Sequence, residues 1–173
     1  MRDVLQTLER WAADGTPVAI ATVVDTERSA PRMPGAVLAV SDDGEVVGSV
    51  TGGCVEPAVY GEARDVLAGG APRLKTYGIA DDEAFEVGLP CGGTVHIFVD
   101  RLDPELVAPI VEAVREERPI ALEIAITGEN AGAKRLVVPE DGGPAAELLA
   151  RGETAILDTA EGQIFVSFFA PRP

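Results

Sequence analysis

The sequence predicts an α+β domain, mixed β-sheet flanked by helices and built as two similar halves. Three observations point there. Apolar residues switch along the chain between helical spacing and short β-branched runs. Glycine and proline clusters separate those segments at short intervals. The opening order of amphipathic helix, proline and apolar strand returns near Asp103, as a weak internal duplication.

Each element follows from its local pattern. Val4, Leu5, Leu8, Trp11 and Ala12 recur at helical spacing, and Gly15 and Pro17 end that helix. VAIATVVDT then reads as a buried strand, and the turn-rich ERSAPRMPG leads to a second strand, AVLAVS. SDDG is a hairpin turn, and EVVGSVT is the third strand. After GGC, residues Val55, Val59, Ala63, Val66 and Leu67 share one helical face, with Gly69 and Gly70 as the stop. RLKTYGI and TVHIFVD read as strands either side of the acidic DDEAFE. In the second half Leu106, Val107, Ile110, Val111 and Val114 repeat the first helix, IALEIAITG answers VAIATVVDT, and KRLVVPEDGG answers VLAVSDDG. GQIFVSFFAP echoes GTVHIFVDRL and is apolar on both faces, so both must be covered.

Composition narrows the function. At 173 residues and 46% hydrophobic content, the chain has material for one compact core or two small ones. A net charge of −15 argues against nucleic acid and anionic membrane, which both require surplus cations. No apolar run approaches the roughly 20 residues that span a bilayer, and the charged N-terminus does not read as a signal peptide. The expected compartment is the cytoplasm. Two cysteines and one histidine, His96, build neither a disulfide framework nor a closed zinc site. GxGxxG and Walker A loops are absent from the sequence.

Both cysteines lie in glycine turns, Cys54 in SVTGGCVEP and Cys91 in GLPCGG. Strand, glycine pair and helix in that order suit an anion, because a helix start has unpaired N–H groups and positive dipole charge. Gly52 and Gly53 permit positive φ and close approach to a ligand, and Ser49 and Thr51 offer hydroxyl donors. Helix starts also stabilise thiolates, which makes Cys54 a candidate nucleophile. If Cys54 and Cys91 converge, they suit a soft metal, a redox pair or a sulfur-containing ligand. Arg32, between two prolines, is the candidate anion fork of a stiff loop. Asp81, Asp82, Glu83 and Glu86 read as a solvated acidic face rather than a cation site, and His96 as structural.

The segments TVVDTERSAPRMPGAVLAV, GEVVGSVTGGCVEPAVYGEARDVL and YGIADDEAFEVGLPCGGTVHIFVD, in that order, resemble the N-terminal domain of the XdhC/CoxI family. These are accessory proteins for molybdenum hydroxylases such as xanthine dehydrogenase. The match is strongest over residues 18–100 and weaker over 103–173, so the whole of 1–173 is expected to be this one domain. The resemblance implies a chaperone that binds the molybdenum cofactor, molybdopterin or its cytosine dinucleotide. It also implies help with sulfuration and with insertion into an apo hydroxylase. The implied cofactor contacts are Ser29, Arg32, Ser49, Gly52, Gly53, Cys54, Glu56, Cys91, Gly92 and Gly93, with Cys54 and Cys91 as molybdenum or sulfur contacts.

Family members typically continue into a Rossmann-like domain, and no Rossmann domain is expected within residues 1–173. The expectation is a separate polypeptide in that role, docked on apolar positions such as Phe165, Phe168 and Phe169. The other expected partners are a cysteine desulfurase and, in a homodimer, a second copy of this chain. The rival readings are a sulfurtransferase or oxidoreductase using Cys54, and a non-catalytic scaffold half. The three loops are expected to meet in one pocket, with Cys54 and Cys91 approaching each other beside Ser29 to Pro34.

Overall fold

The computed structural model describes residues 2–30, 32–78 and 92–169. Cys91 and the acidic segment Asp81 to Glu86 lie outside the described residues, so the expected approach of the two cysteines does too.

Helix α1 (Arg2–Asp14) is followed by β1 (Val18–Glu27), β2 (Val37–Ser41) and the short β3 (Val46–Gly48). Then come α2 (Glu56–Leu67), β4 (Arg73–Gly78) and β5 (Thr94–Arg101). The second half runs α3 (Pro104–Arg115), β6 (Ile120–Ala125), β7 (Lys134–Val137), α4 (Gly143–Arg151), β8 (Ala155–Thr159) and β9 (Gly162–Phe169). The first sheet has the order β3-β2-β1-β5-β4 and the second β7-β6-β9-β8. The fold is the expected α+β class. Its sheets are antiparallel in every described pairing rather than mixed, because hairpins and helix returns bring each strand back beside an oppositely running neighbour.

Without β3, the first sheet reads β2-β1-β5-β4, which is the strand order of the second sheet. The registers make the correspondence residue by residue. Thr22 pairs with Val37 and Phe98, as Ile124 pairs with Lys134 and Phe165. Ile20 faces Asp100 as Leu122 faces Ser167.

The two sheets pack face to face through Val24, Phe98, Ile124, Ile126 and Phe165. Helix α2 covers the outer face of the first sheet with Val59, Ala63 and Val66. Helix α4 covers the second with Ala145, Ala146, Leu148 and Leu149. Helices α1 and α3 close the seam, where Leu5, Leu8, Trp11, Val107 and Ile110 form one cluster.

The seam carries a buried charge pair. Lys134 Nζ lies 2.5 Å from Asp100 Oδ2, the side chains being 8% and 2% exposed. Burial pushes the Asp100 carboxyl up to about 6, against the opposing pull of Lys134. By register, the symmetric counterpart of this pair is Ser167 with Val37. These smaller groups line a largely apolar cavity of about 80 Å³ between the sheets.

The structure corrects one expectation and narrows another. The strand EVVGSVT stops at Gly48, which has φ 89° and lies against the Val37 backbone, where a Cβ would be 2.1 Å from the Val37 carbonyl oxygen. Ser49 to Val55 is therefore loop. Strand β9 is also covered on both faces within this domain. Phe165 is fully buried between the sheets, Phe168 packs on the α4 side and Phe169 on the α1–α3 cluster. Phe165 is therefore core, whereas Phe168 and Phe169 are half-buried and keep part of their surface exposed. Helix α4 and strand β8 have no clear signal in the sequence, since PEDGGP reads as turn and AILDT is short.

Candidate functional site

Antiparallel topology places three loops at one end of the first sheet. Strand β1 runs toward that end, β2 returns from it and β3 runs back to it, while β5 starts there. The β1–β2 loop, the β3–α2 loop and the chain entering β5 therefore share that end. Gly93 is buried against the first of them: a Cβ at Gly93 would fall 2.0 Å from the Ser29 carbonyl oxygen. The β1–β2 loop is tied at its base, where Gly35 N–H donates to the Val23 carbonyl and Val23 N–H to the Ala36 carbonyl. Ala30, Ala36 and Cys54 pack against the same α2-covered core. The structure thus brings Ser29, Gly93 and the Cys54 loop to one end, with Gly92 next to Gly93.

The Ser49–Val55 loop is organised around Glu56. Oε1 accepts from Ser49 Oγ at 2.8 Å, Val50 N at 3.2 Å, Thr51 N at 2.9 Å and Gly52 N at 2.9 Å. Oε2 accepts from Thr51 Oγ1 at 2.6 Å and Gly53 N at 2.8 Å. Thr51 Oγ1 in turn accepts the Val55 N–H, and Ser49 Oγ accepts the Gly52 N–H. Gly52 and Gly53, at φ 80° and 127°, supply the positive-φ turn that aims these amides inward. Partial burial works against the carboxylate, but the Thr51 and Ser49 donors outweigh it and hold Glu56 down to about 2.

The sequence is right that this turn favours an anion, but the chain supplies that anion itself. The amides of Gly52 and Gly53 and the hydroxyls of Ser49 and Thr51 are engaged by Glu56, so those donors are already committed. The spacing Ser49, Thr51, Gly52, Gly53 to Glu56, with a carboxylate at the first helical position, was the signal for this. Among the described residues, open space remains above the glycines, where a Cβ would meet nothing within 4 Å. Cys54, half-buried, follows directly at the helix approach, and Pro57 is accommodated in the first turn of α2.

Arg32 is exposed, as are Arg28 and Ser29 of the same loop. Arg28 holds φ 62°, a left-handed conformation uncommon outside glycine. His96 lies on the same sheet, its Nδ1 2.9 Å from Thr76 Oγ1 and its Nε2 3.1 Å from Glu27. Among the described residues no group of three or more histidine, cysteine and carboxylate side chains forms a metal site. Among them, too, no helix is long and apolar enough to cross a membrane.

Residues 11–78, which include the β1–β2 loop and the Glu56-centred turn, match the XdhC and CoxI family. The match covers this segment of the chain. Of curated proteins, the molybdenum cofactor insertion chaperone PaoD of Escherichia coli (strain K12) is 29% identical over 127 residues, 70% of this chain. A probable xanthine dehydrogenase component of Bacillus subtilis (strain 168) is 29% identical over 100 residues, 57% of this chain. The matches span 40% and 30% of the lengths of these relatives. A crystal structure of a xanthine dehydrogenase from Bacillus halodurans superposes with a TM-score of 0.73 at 22% identity, covering 97% of this chain and 53% of that one. This likeness shows the shared fold.

Proposed function

We propose that this XdhC/CoxI-family chain binds the molybdenum cofactor and assists its maturation for insertion into a xanthine dehydrogenase-type apo-enzyme. The observation that carries the reading is the Glu56-locked turn, which holds Cys54 in a fixed loop at the end where the β1–β2 loop and the Gly92–Gly93 segment meet. The similarity to PaoD supports the cofactor as the ligand.

The residues present suit such a group by their chemistry. Cys54 offers soft sulfur to molybdenum or to a transferable sulfur, and Cys91, next to Gly92 in the sequence, is the second thiol of this reading. The open faces of Gly52 and Gly53 allow a flat ring system close to the backbone, and Ser29, Arg32, Gly92 and Gly93 complete the surround. The cofactor supplies the metal centre and its dithiolene; the chain's residues bind, orient and shield it. Glu56 then acts through the loop it orders rather than by touching the ligand. Ser49 has the same indirect role. In this reading the protein works in the cytoplasm with the apo hydroxylase and a cysteine desulfurase as partners, on the cytosine dinucleotide form where the cell makes it.

The test is purification of the chain after co-expression with the molybdopterin pathway. Bound pterin is expected, lost in Cys54→Ser with the melting temperature nearly unchanged, since Cys54 is only half-buried. A persulfide on Cys54 with turnover and no pterin would replace this reading with a sulfurtransferase. Neither product would leave a scaffold role.

A further inference from the structure

Positive charge is scarce in a chain at −15, and its disposition is uneven. Arg64 and Arg101 are held on backbone carbonyls. The other lysines and arginines with described side chains pair with carboxylates, Lys134 even in the buried seam. Two stand apart. Among the described side chains, Arg28 and Arg32 alone have neither a carboxylate nor a carbonyl partner, and both lie on the β1–β2 loop. That loop is not slack chain: it is tied at Val23 and Gly35, contains two prolines and is pressed on Gly93 through the Ser29 backbone. Arg28 sits at φ 62°, a conformation that costs energy in a residue with a long side chain.

The neighbouring turn offers an anion little, because its amides and hydroxyls are satisfied by Glu56. We infer that Arg28 and Arg32 form the anion clamp of this site and recognise the phosphate or pyrophosphate group of the ligand. Guanidinium forks suit such oxyanions, giving paired charge-assisted hydrogen bonds that an ammonium cannot match. The inference rests on the cofactor reading for the identity of the whole ligand, but the clamp itself needs only the phosphate.

Inorganic pyrophosphate is therefore the probe, titrated calorimetrically into the full chain at low ionic strength. Wild-type protein is expected to bind it. Arg28→Gln and Arg32→Gln should each weaken binding about tenfold, and the double variant should abolish it. Arg32→Lys should recover only part of the loss, and about 0.5 M salt should suppress binding in the wild type. Both arginines are exposed, so melting temperatures should hold. Absence of binding by the wild type, or affinity within about twofold of wild type in the arginine variants, overturns the clamp. Cofactor co-purification is scored separately on Cys54→Ser. Pyrophosphate binding without bound pterin keeps the clamp and removes the cofactor reading; pterin without pyrophosphate binding does the reverse.

Discussion

At the edge of the first sheet, Glu56 gathers the amides and hydroxyls of Ser49 to Gly53; at the matching turn of the second, Asp141 accepts one amide, from Val138. The two halves share their strand order, and the difference lies in what each inserts. Strand β3 carries the chain back to the end where β1 finishes, so α2 starts beside the β1–β2 loop. The second half has no such strand among the described residues, and α4 follows β7 through a short 3-10 turn at Pro139–Asp141. Its β8–β9 connection is likewise a tight turn closed by Thr159 and Gly162. One half is elaborated at a single end; the other is the plain version of the same framework.

The comparison is sharpened most by the seam, where Asp100 and Lys134 form a pair that their counterparts Ser167 and Val37 do not. Lys134→Ala leaves a buried carboxylate without its cation and should cost about 3–5 kcal/mol in urea denaturation. Replacing both partners by apolar groups, Asp100→Leu with Lys134→Met, should recover most of that loss. Recovery failing would mean that the pair contributes more than mutual compensation.

Next in size is the turn. Glu56→Gln retains one acceptor oxygen but turns an amide donor toward backbone donors, so the loop should loosen at a cost of about 2–3 kcal/mol. Hydrogen exchange at Thr51, Gly52 and Gly53 should rise well above its wild-type rate. Unchanged protection there would break the contrast between the halves.

The two carboxylates also predict opposite pH responses. Asp100 is raised from 3.8 to about 6, so the folded state holds its proton more firmly than the unfolded state between those values. This group therefore adds stability as pH falls through about 6, and the gain disappears as pH rises again. Glu56 is lowered from 4.5 to about 2; its contribution is complete above about 4.5 and fades as pH falls toward 2. Melting temperature followed from about pH 7 to about pH 2, with Asp100→Asn to remove the first effect and Glu56→Gln the second, separates them. A wild-type profile that Asp100→Asn leaves unaltered from about pH 7 to about pH 5 would contradict the buried-carboxyl account.

The smallest effect belongs to the plain half. Asp141→Ala removes a single capping bond and should cost less than about 1 kcal/mol, by the same denaturation measurement. A loss equal to that of Glu56→Gln would erase the distinction between the two turns.

Much of this is legible in the sequence. The helices at Val4–Trp11, Val55–Leu67 and Leu106–Val114, and the strands around Val18, Val37, Thr94, Ile120 and Gln163, are periodic enough to read directly, because burial on one face imposes spacing on the chain. The duplication is legible for the same reason, as are the glycine pair before Cys54 and the unusual loop at Arg32. Tertiary structure alone decided the rest. That Phe165 is fully buried while Phe168 and Phe169 are half-buried depends on the helices and the opposing sheet, which no local pattern reveals. That Asp100 pairs with Lys134 depends on the register across two sheets. And the glycine amides are saturated because Glu56 folds back over its own turn, a competition between an internal carboxylate and an external anion that only three-dimensional proximity can resolve.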